Sequence, residues 1–351
     1  LAGVRIVELD AAGAIPLACM LLADMGADVV RIRRNGPDGS AIAPILYRGR
    51  SEVALDLTNV ADREQALALI AQADGVVEGF RHGVIEQLGL DPARCLAANP
   101  RLVYARMSGW GLDGPLAATA GNDINHLALS GALHAIGLPA LPVPPLNLLG
   151  EYAGGAMFLA LGLVAAILRA QATGQGQVIE ASVTDGAASL MTLYYALHGG
   201  SRWADMRASN LIDGGAPFYR CYACSDRRHV AVGALEPQTF EALCEGLGIA
   251  ANSFQQYDRA GWVRMGEAFA QAFASRTRDD WEAIFEGREA CVTPVLSLSE
   301  APNHPHNAAR NVFGSPMGIV QPMPVPRFSD TPSKAVPQVE STAAEMLERW
   351  S

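Results

Sequence analysis

The sequence predicts an α/β protein built on a doubly wound, Rossmann-like parallel sheet, with a smaller α+β domain. Three observations predict it. Short apolar runs alternate with helix-period segments through the first third, the pattern of a parallel sheet. Runs such as Val4–Leu9 are mainly apolar, interrupted by Arg5 and Glu8, and are of strand length. The 351 residues, half of them hydrophobic, suffice for about two domains.

The elements follow in order. Val4–Leu9 is a strand ending at Asp10, and Ile15–Met25 a helix stopped by Gly26. Asp28–Ile32 is a second strand. Val53–Leu57, a helix over Ala61–Ala73 and Gly75–Phe80 repeat the scheme. Asp91-Pro92 starts a helix, an N-cap followed by proline at the first position. Leu102–Met107 is another strand. A helical stretch runs from Gly121 to about Ile136, then a proline-rich loop, then the apolar helix 156–170. Val178–Ser182 is a strand. The pattern weakens over 190–215, read as a connecting arm. Cys221–Leu247 is a β-hairpin plus helix, and Ser341–Trp350 a closing helix. The expected large domain is 1–185 with 320–351, joined by an arm over 186–219 to a small domain at 220–300, with 301–319 returning.

Composition excludes several classes. The apolar content is too high for bulk disorder. A net charge of −10 disfavours a nucleic-acid partner. The longest apolar run, Ala156–Leu168, is shorter than the roughly 20 residues of a membrane span. No signal-peptide pattern is visible at the start. Cys19, Cys95, Cys221, Cys224, Cys244 and Cys291 include one isolated CxxC, without the second pair a zinc site needs. Free thiols fit a reducing compartment, and a cytoplasmic location is expected. The turn after the first strand lacks G-x-G-x-x-G, which argues against a dinucleotide.

Three groups of residues carry possible chemistry. Arg31, Arg33, Arg34, Arg48, Arg50 and Arg81 lie at or beyond strand ends, the edge where open α/β sheets bind ligands. Converging guanidiniums there would clamp phosphates; the alternative is solvated surface charge. Gly150-Glu151-Tyr152-Ala153-Gly154-Gly155 opens a helix, where free N–H groups could stabilise an oxyanion; the alternative is a capping Glu beside tight packing. Asn122, His126, Ser130 and His134 share one helix face. A lone helical His is more often structural than catalytic. No metal-ligand set, G-x-S-x-G elbow or P-loop is apparent.

These segments together resemble the family III CoA-transferase superfamily, and within it the α-methylacyl-CoA racemase branch. The matching stretches span nearly the whole chain: Val4–Asp10, Leu22–Arg31, Glu78–Val84, Val103–Pro115, Ala120–Gly131, Gly174–Ile179, Asp213–Tyr219, Val230–Gln238, Ala290–Val295 and His304–Asn307. DGGAPFY and VGALEPQ resemble the racemase branch in particular.

The resemblance implies an interlocked homodimer with the active site between the large domain of one subunit and the small domain of the other. It implies an acyl-CoA substrate, with Arg34, Arg50 and Arg81 near the CoA, and no metal or redox cofactor. Coenzyme A enters only as part of the thioester. Racemase chemistry moves a proton at the carbon beside the thioester carbonyl, with an acid/base group on each face. In the racemases these are His and Asp, with a Glu supporting the His. Carried over by position, the Glu is Glu236, the Asp position holds Glu151, and the His position holds Asn122. An amide relays no proton at neutral pH. Three readings follow. His126, one helical turn on, replaces the lost base; or Glu151 is a transferase nucleophile forming an acyl-enzyme anhydride; or the chain binds acyl-CoA without turnover.

Overall fold

The structure is a computed structural model, and it describes residues 1–34 and 43–351. The chain divides into two units, Leu1–Ala132 with Pro145–Thr192 and Pro305–Ser351, and Leu133–Pro144 with Leu193–His304.

The first unit is built on a seven-stranded sheet. Its strands are β1 (Arg5–Leu9), β2 (Asp28–Arg33), β3 (Arg50–Ala54), β4 (Gly75–Glu78), β5 (Val103–Ser108) and β6 (Gln177–Ser182), with Val339–Glu340 at one edge. The order is Val339–Glu340, β3, β2, β1, β4, β5, β6, and all pairs are parallel. Chain order therefore reverses between β1 and β4, the switch point of a doubly wound sheet.

Alternation along each strand feeds two cores. Ile6, Val29, Val77, Val103 and Ala105 pack on one face with α1 (Ala14–Asp24). Val7, Val30, Val76 and Tyr104 pack on the other with α2 (Val60–Ala71), α3 (Pro92–Ala98) and the closing helix Ala343–Trp350. Asn59 caps α2, accepting the Ala61 and Asp62 N–H groups, and Asp91 caps α3, accepting the Arg94 N–H, which removes orphan donors at those ends. The expected helix after Gly121 forms as α4 (Asp123–Leu129) and a further turn at Ala132–Ala135.

The apolar helix differs from expectation in its start. A π-helical stretch, Leu148–Ala156, leads directly into α5 (Met157–Thr173). The continuous helix of 26 residues is long and apolar enough to cross a membrane by length and composition alone. Half of its most apolar window is buried within the fold, as in a core helix. After β6 comes α6 (Val183–Leu190).

The expected arm is partly helical. α7 (Thr192–Gly199) has no fully buried residue. The second unit continues with the antiparallel strands β7 (Tyr219–Ala223), β8 (His229–Gly233) and β9 (Val292–Pro294). Its core joins them to α8 (Pro237–Leu247), α9 (Trp262–Phe273) and α10 (Arg278–Phe285) around Phe218, Phe240, Phe269 and Trp281.

Candidate active site

The loops at the carboxyl ends of β1, β4 and β5 enclose a cavity of about 440 Å³. It lies at the switch point, where doubly wound sheets bind ligands. Its wall includes Gly13–Ile15 after β1, Gly79–His82 after β4, Ser108–Leu112 after β5, and Glu151. A neighbouring cavity of about 390 Å³ lies beyond the ends of β2 and β3, lined by Arg34, Asp56 and Thr58. Phe80 and Val84 line both, so the two form a continuous binding edge.

Glu151 stands within the π-helical stretch and half-buried. Asn147 Nδ2 donates to its Oε2 at 3.2 Å. Its Oε1 approaches Gly13, where a Cβ would stand only 3.3 Å from that oxygen. Gly13 also has φ 77°, a conformation that favours glycine. One glycine thus both turns the chain into α1 and leaves space for the carboxylate. The start of α1 has no side-chain cap and no acidic residue in its first turn. Its first residues, Ala14 and Ile15, bring their N–H groups to the cavity wall, while Pro16 has none.

The arginines separate into two groups. Arg50, expected near CoA, is fully buried and pairs with Glu8 at 2.7 Å. It also donates to the carbonyls of Leu46 and Pro16, so its guanidinium is committed to the fold. This corrects its expected role as a CoA contact. Arg31 joins Asp10 and Glu52, both at 2.7 Å, and Arg48 joins Asp24 at 2.6 Å. Arg33 pairs with Glu340 at 3.2 Å. Arg34 and Arg81, in contrast, are exposed and line the two cavities.

His126 is not on the cavity wall. It is 4% exposed and its ring meets Trp110 edge-on, with centroids 4.5 Å apart. Gly109 covers it: a Cβ there would lie 2.3 Å from Nε2. Both ring nitrogens are buried without a hydrogen-bond partner among the described residues. Burial lowers the imidazole's pKa below its ordinary 6.5, opposed by the charge of Asp123. Asn122 is the exposed N-cap of α4, and its N–H donates to Asn125 Oδ1 at 3.1 Å. Glu236 precedes α8 in the second unit, exposed, with Thr239 Oγ1 donating to its carbonyl at 2.9 Å. Glu151 and Arg81 thus share a cavity, while His126 lies behind its wall.

Sequence reading missed His82, which lines the same cavity. Its position three residues after the strand-end glycine, Gly79, is the available signal. Sequence reading also leaves out Asp123, which accepts a hydrogen bond from Glu151 N–H at 2.5 Å.

An open parallel sheet with a carboxylate at its switch point defines a class of ligand-binding α/β protein; the comparisons give the family. CoA-transferase family III matches residues 1–342. The α-methylacyl-CoA racemase of Mus musculus is 41% identical over 357 residues, covering 100% of this chain and 93% of the relative. That of Homo sapiens is 40% identical over the same span. A CAIB/BAIF family protein from Brucella suis has the same fold, with a TM-score of 0.85, 22% identity, and coverage of 100% of this chain and 99% of that one. The chain belongs to CoA-transferase family III.

Proposed function

We propose that this chain is an acyl-CoA enzyme that removes the α-proton of a 2-methylacyl-CoA thioester, with Glu151 as base. The observation that carries the reading is the Glu151 carboxylate on the wall of the switch-point cavity. The 41% identity to a racemase supports the reaction class. Arg34 and Arg81 would meet the phosphates of CoA along the binding edge.

In the proposed step the α-carbon–hydrogen bond breaks and its proton passes to a Glu151 oxygen. The electron pair becomes the C=C bond of an enolate, and negative charge moves onto the thioester oxygen. The N–H groups at the start of α1 are suited to hold that charge. Return of a proton to the opposite face completes racemisation and needs a second acid. Asn122 cannot serve, and His126 lies off the cavity wall. His82 is the imidazole that lines it among the described residues. The reading includes a homodimer with intertwined chains, no metal or redox cofactor, and a cytoplasmic location.

The second reading, family III CoA transfer, is favoured by Asn122 in place of a His. There Glu151 attacks the thioester carbonyl, the carbon–sulfur bond breaks, and CoA leaves as the thiolate. The thiolate then attacks the Glu151 carbonyl of the anhydride, which releases the donor acid and leaves a Glu151–CoA thioester. An acceptor carboxylate displaces CoA to form a second anhydride, and the thiolate attacks its acceptor acyl carbon, so CoA ends on the acceptor and Glu151 is freed. One assay separates the two. Incubation with 2-methyloctanoyl-CoA in D₂O is expected to give deuterium at the α-carbon. Absence of deuterium, with CoA moved to added acetate and an adduct on Glu151 trapped by hydroxylamine, would favour transfer instead.

A further inference from the structure

Glu151 is held from outside its own helix. Asp123, the first residue of α4, accepts the Glu151 N–H through Oδ1 at 2.5 Å, across 28 residues of sequence. The bond ties α4 to the π-helical stretch. Gly150 makes room for it, because a Cβ at that position would lie 2.3 Å from the same oxygen. The other carboxylate oxygen, Oδ2, is buried and has no partner among the described residues. An unsatisfied buried acceptor is costly. Asp123 does not line the cavity, so it is not placed to touch a substrate there. A π-helical register is uncommon and concentrates at functional sites.

We infer that Asp123 is the positioning residue for Glu151. Its Oδ1 fixes the backbone at residue 151, and Asn147 steadies the carboxylate from within the π-helical stretch. Together they point the carboxylate into the cavity. The inference rests on the reading of Glu151 as the reacting carboxylate, as base or as nucleophile. A displacement of about 1 Å at a reacting group lowers rate by about 100-fold.

The test uses full-length protein with 2-methyloctanoyl-CoA, and whichever reaction the wild type supports, deuterium uptake or CoA transfer to acetate. D123A is expected to lower kcat by about 10- to 100-fold with KM within about twofold. D123N keeps an oxygen acceptor and is expected to recover most of the loss. G150A, which crowds Asp123, is expected to behave like D123A. D123A added to E151Q should give no further loss. Wild-type kcat in D123A, or D123N as slow as D123A, would overturn the inference. If D123A does not fold, G150A and D123N carry the test, and wild-type kcat in G150A overturns it. E151Q at wild-type rate would overturn the reading of Glu151 itself. A slow E151Q beside a fast D123A would overturn the positioning role alone.

Discussion

His126 shows how far helical spacing reaches. One turn beyond Asn122, it has the right period to replace a missing base. Spacing carries no information about Gly109 and Trp110, which close over it from a different strand end. Glu151 was legible because glycines flank it at a helix start, a local signal. His126 has a pH consequence. Above its ordinary pKa of 6.5 the ring is neutral in both folded and unfolded chains. As pH falls through 6.5 the unfolded chain takes up a proton that the buried ring resists, so stability drops. His126→Phe is expected to flatten that dependence in urea titrations at pH 5.5 and 7.5. It is also expected to leave α-proton exchange intact; abolished exchange in a folded His126→Phe would restore this residue as a base. Gly109→Ala, by contrast, forces a Cβ against the imidazole and is expected to destabilise by about 1–3 kcal/mol, read as a lower urea midpoint.

At the scale of elements, the strand ends were legible and their charges were not. β3 begins at Arg50, three residues before its expected start at Val53, and takes in the polar residues Arg50, Ser51 and Glu52. They enter the strand because ion pairs to Glu8 and Arg31 neutralise the buried charges. Sequence cannot tell such an arginine from one facing ligand, since both follow the same strands. Mutation can. Arg50→Ala leaves Glu8 buried and uncompensated, and is expected to lose about 3–5 kcal/mol of stability. Arg81→Ala, at an exposed position, is expected to change stability by less than about 0.5 kcal/mol while raising KM for acyl-CoA. Equal losses of stability in chemical denaturation would contradict this division.

For the whole molecule, the alternation of strands and helices by itself specifies a doubly wound sheet. The weak pattern over 190–215 conceals α7, none of whose residues is fully buried. Met157, Leu161 and Leu168 on α5 are likewise exposed, at 52%, 68% and 62%. Exposed apolar side chains at helical spacing fit the proposed homodimer, which would cover them. Leu161→Glu is expected to lower the fraction of dimer recovered by light scattering after refolding from urea at micromolar concentration; an unchanged recovery would place the interface elsewhere. Net charge, −10 over the chain, does not oppose an anionic substrate, because Arg34 and Arg81 stand at the two cavities.

The central claim is that Glu151 is the reacting carboxylate of an α-proton transfer. Its most direct test is deuterium uptake at the α-carbon of 2-methyloctanoyl-CoA, followed by NMR in D₂O for wild type and Glu151→Gln. Uptake by the wild type, lost in the folded Glu151→Gln variant, is the result predicted. Uptake undiminished in Glu151→Gln would contradict the claim.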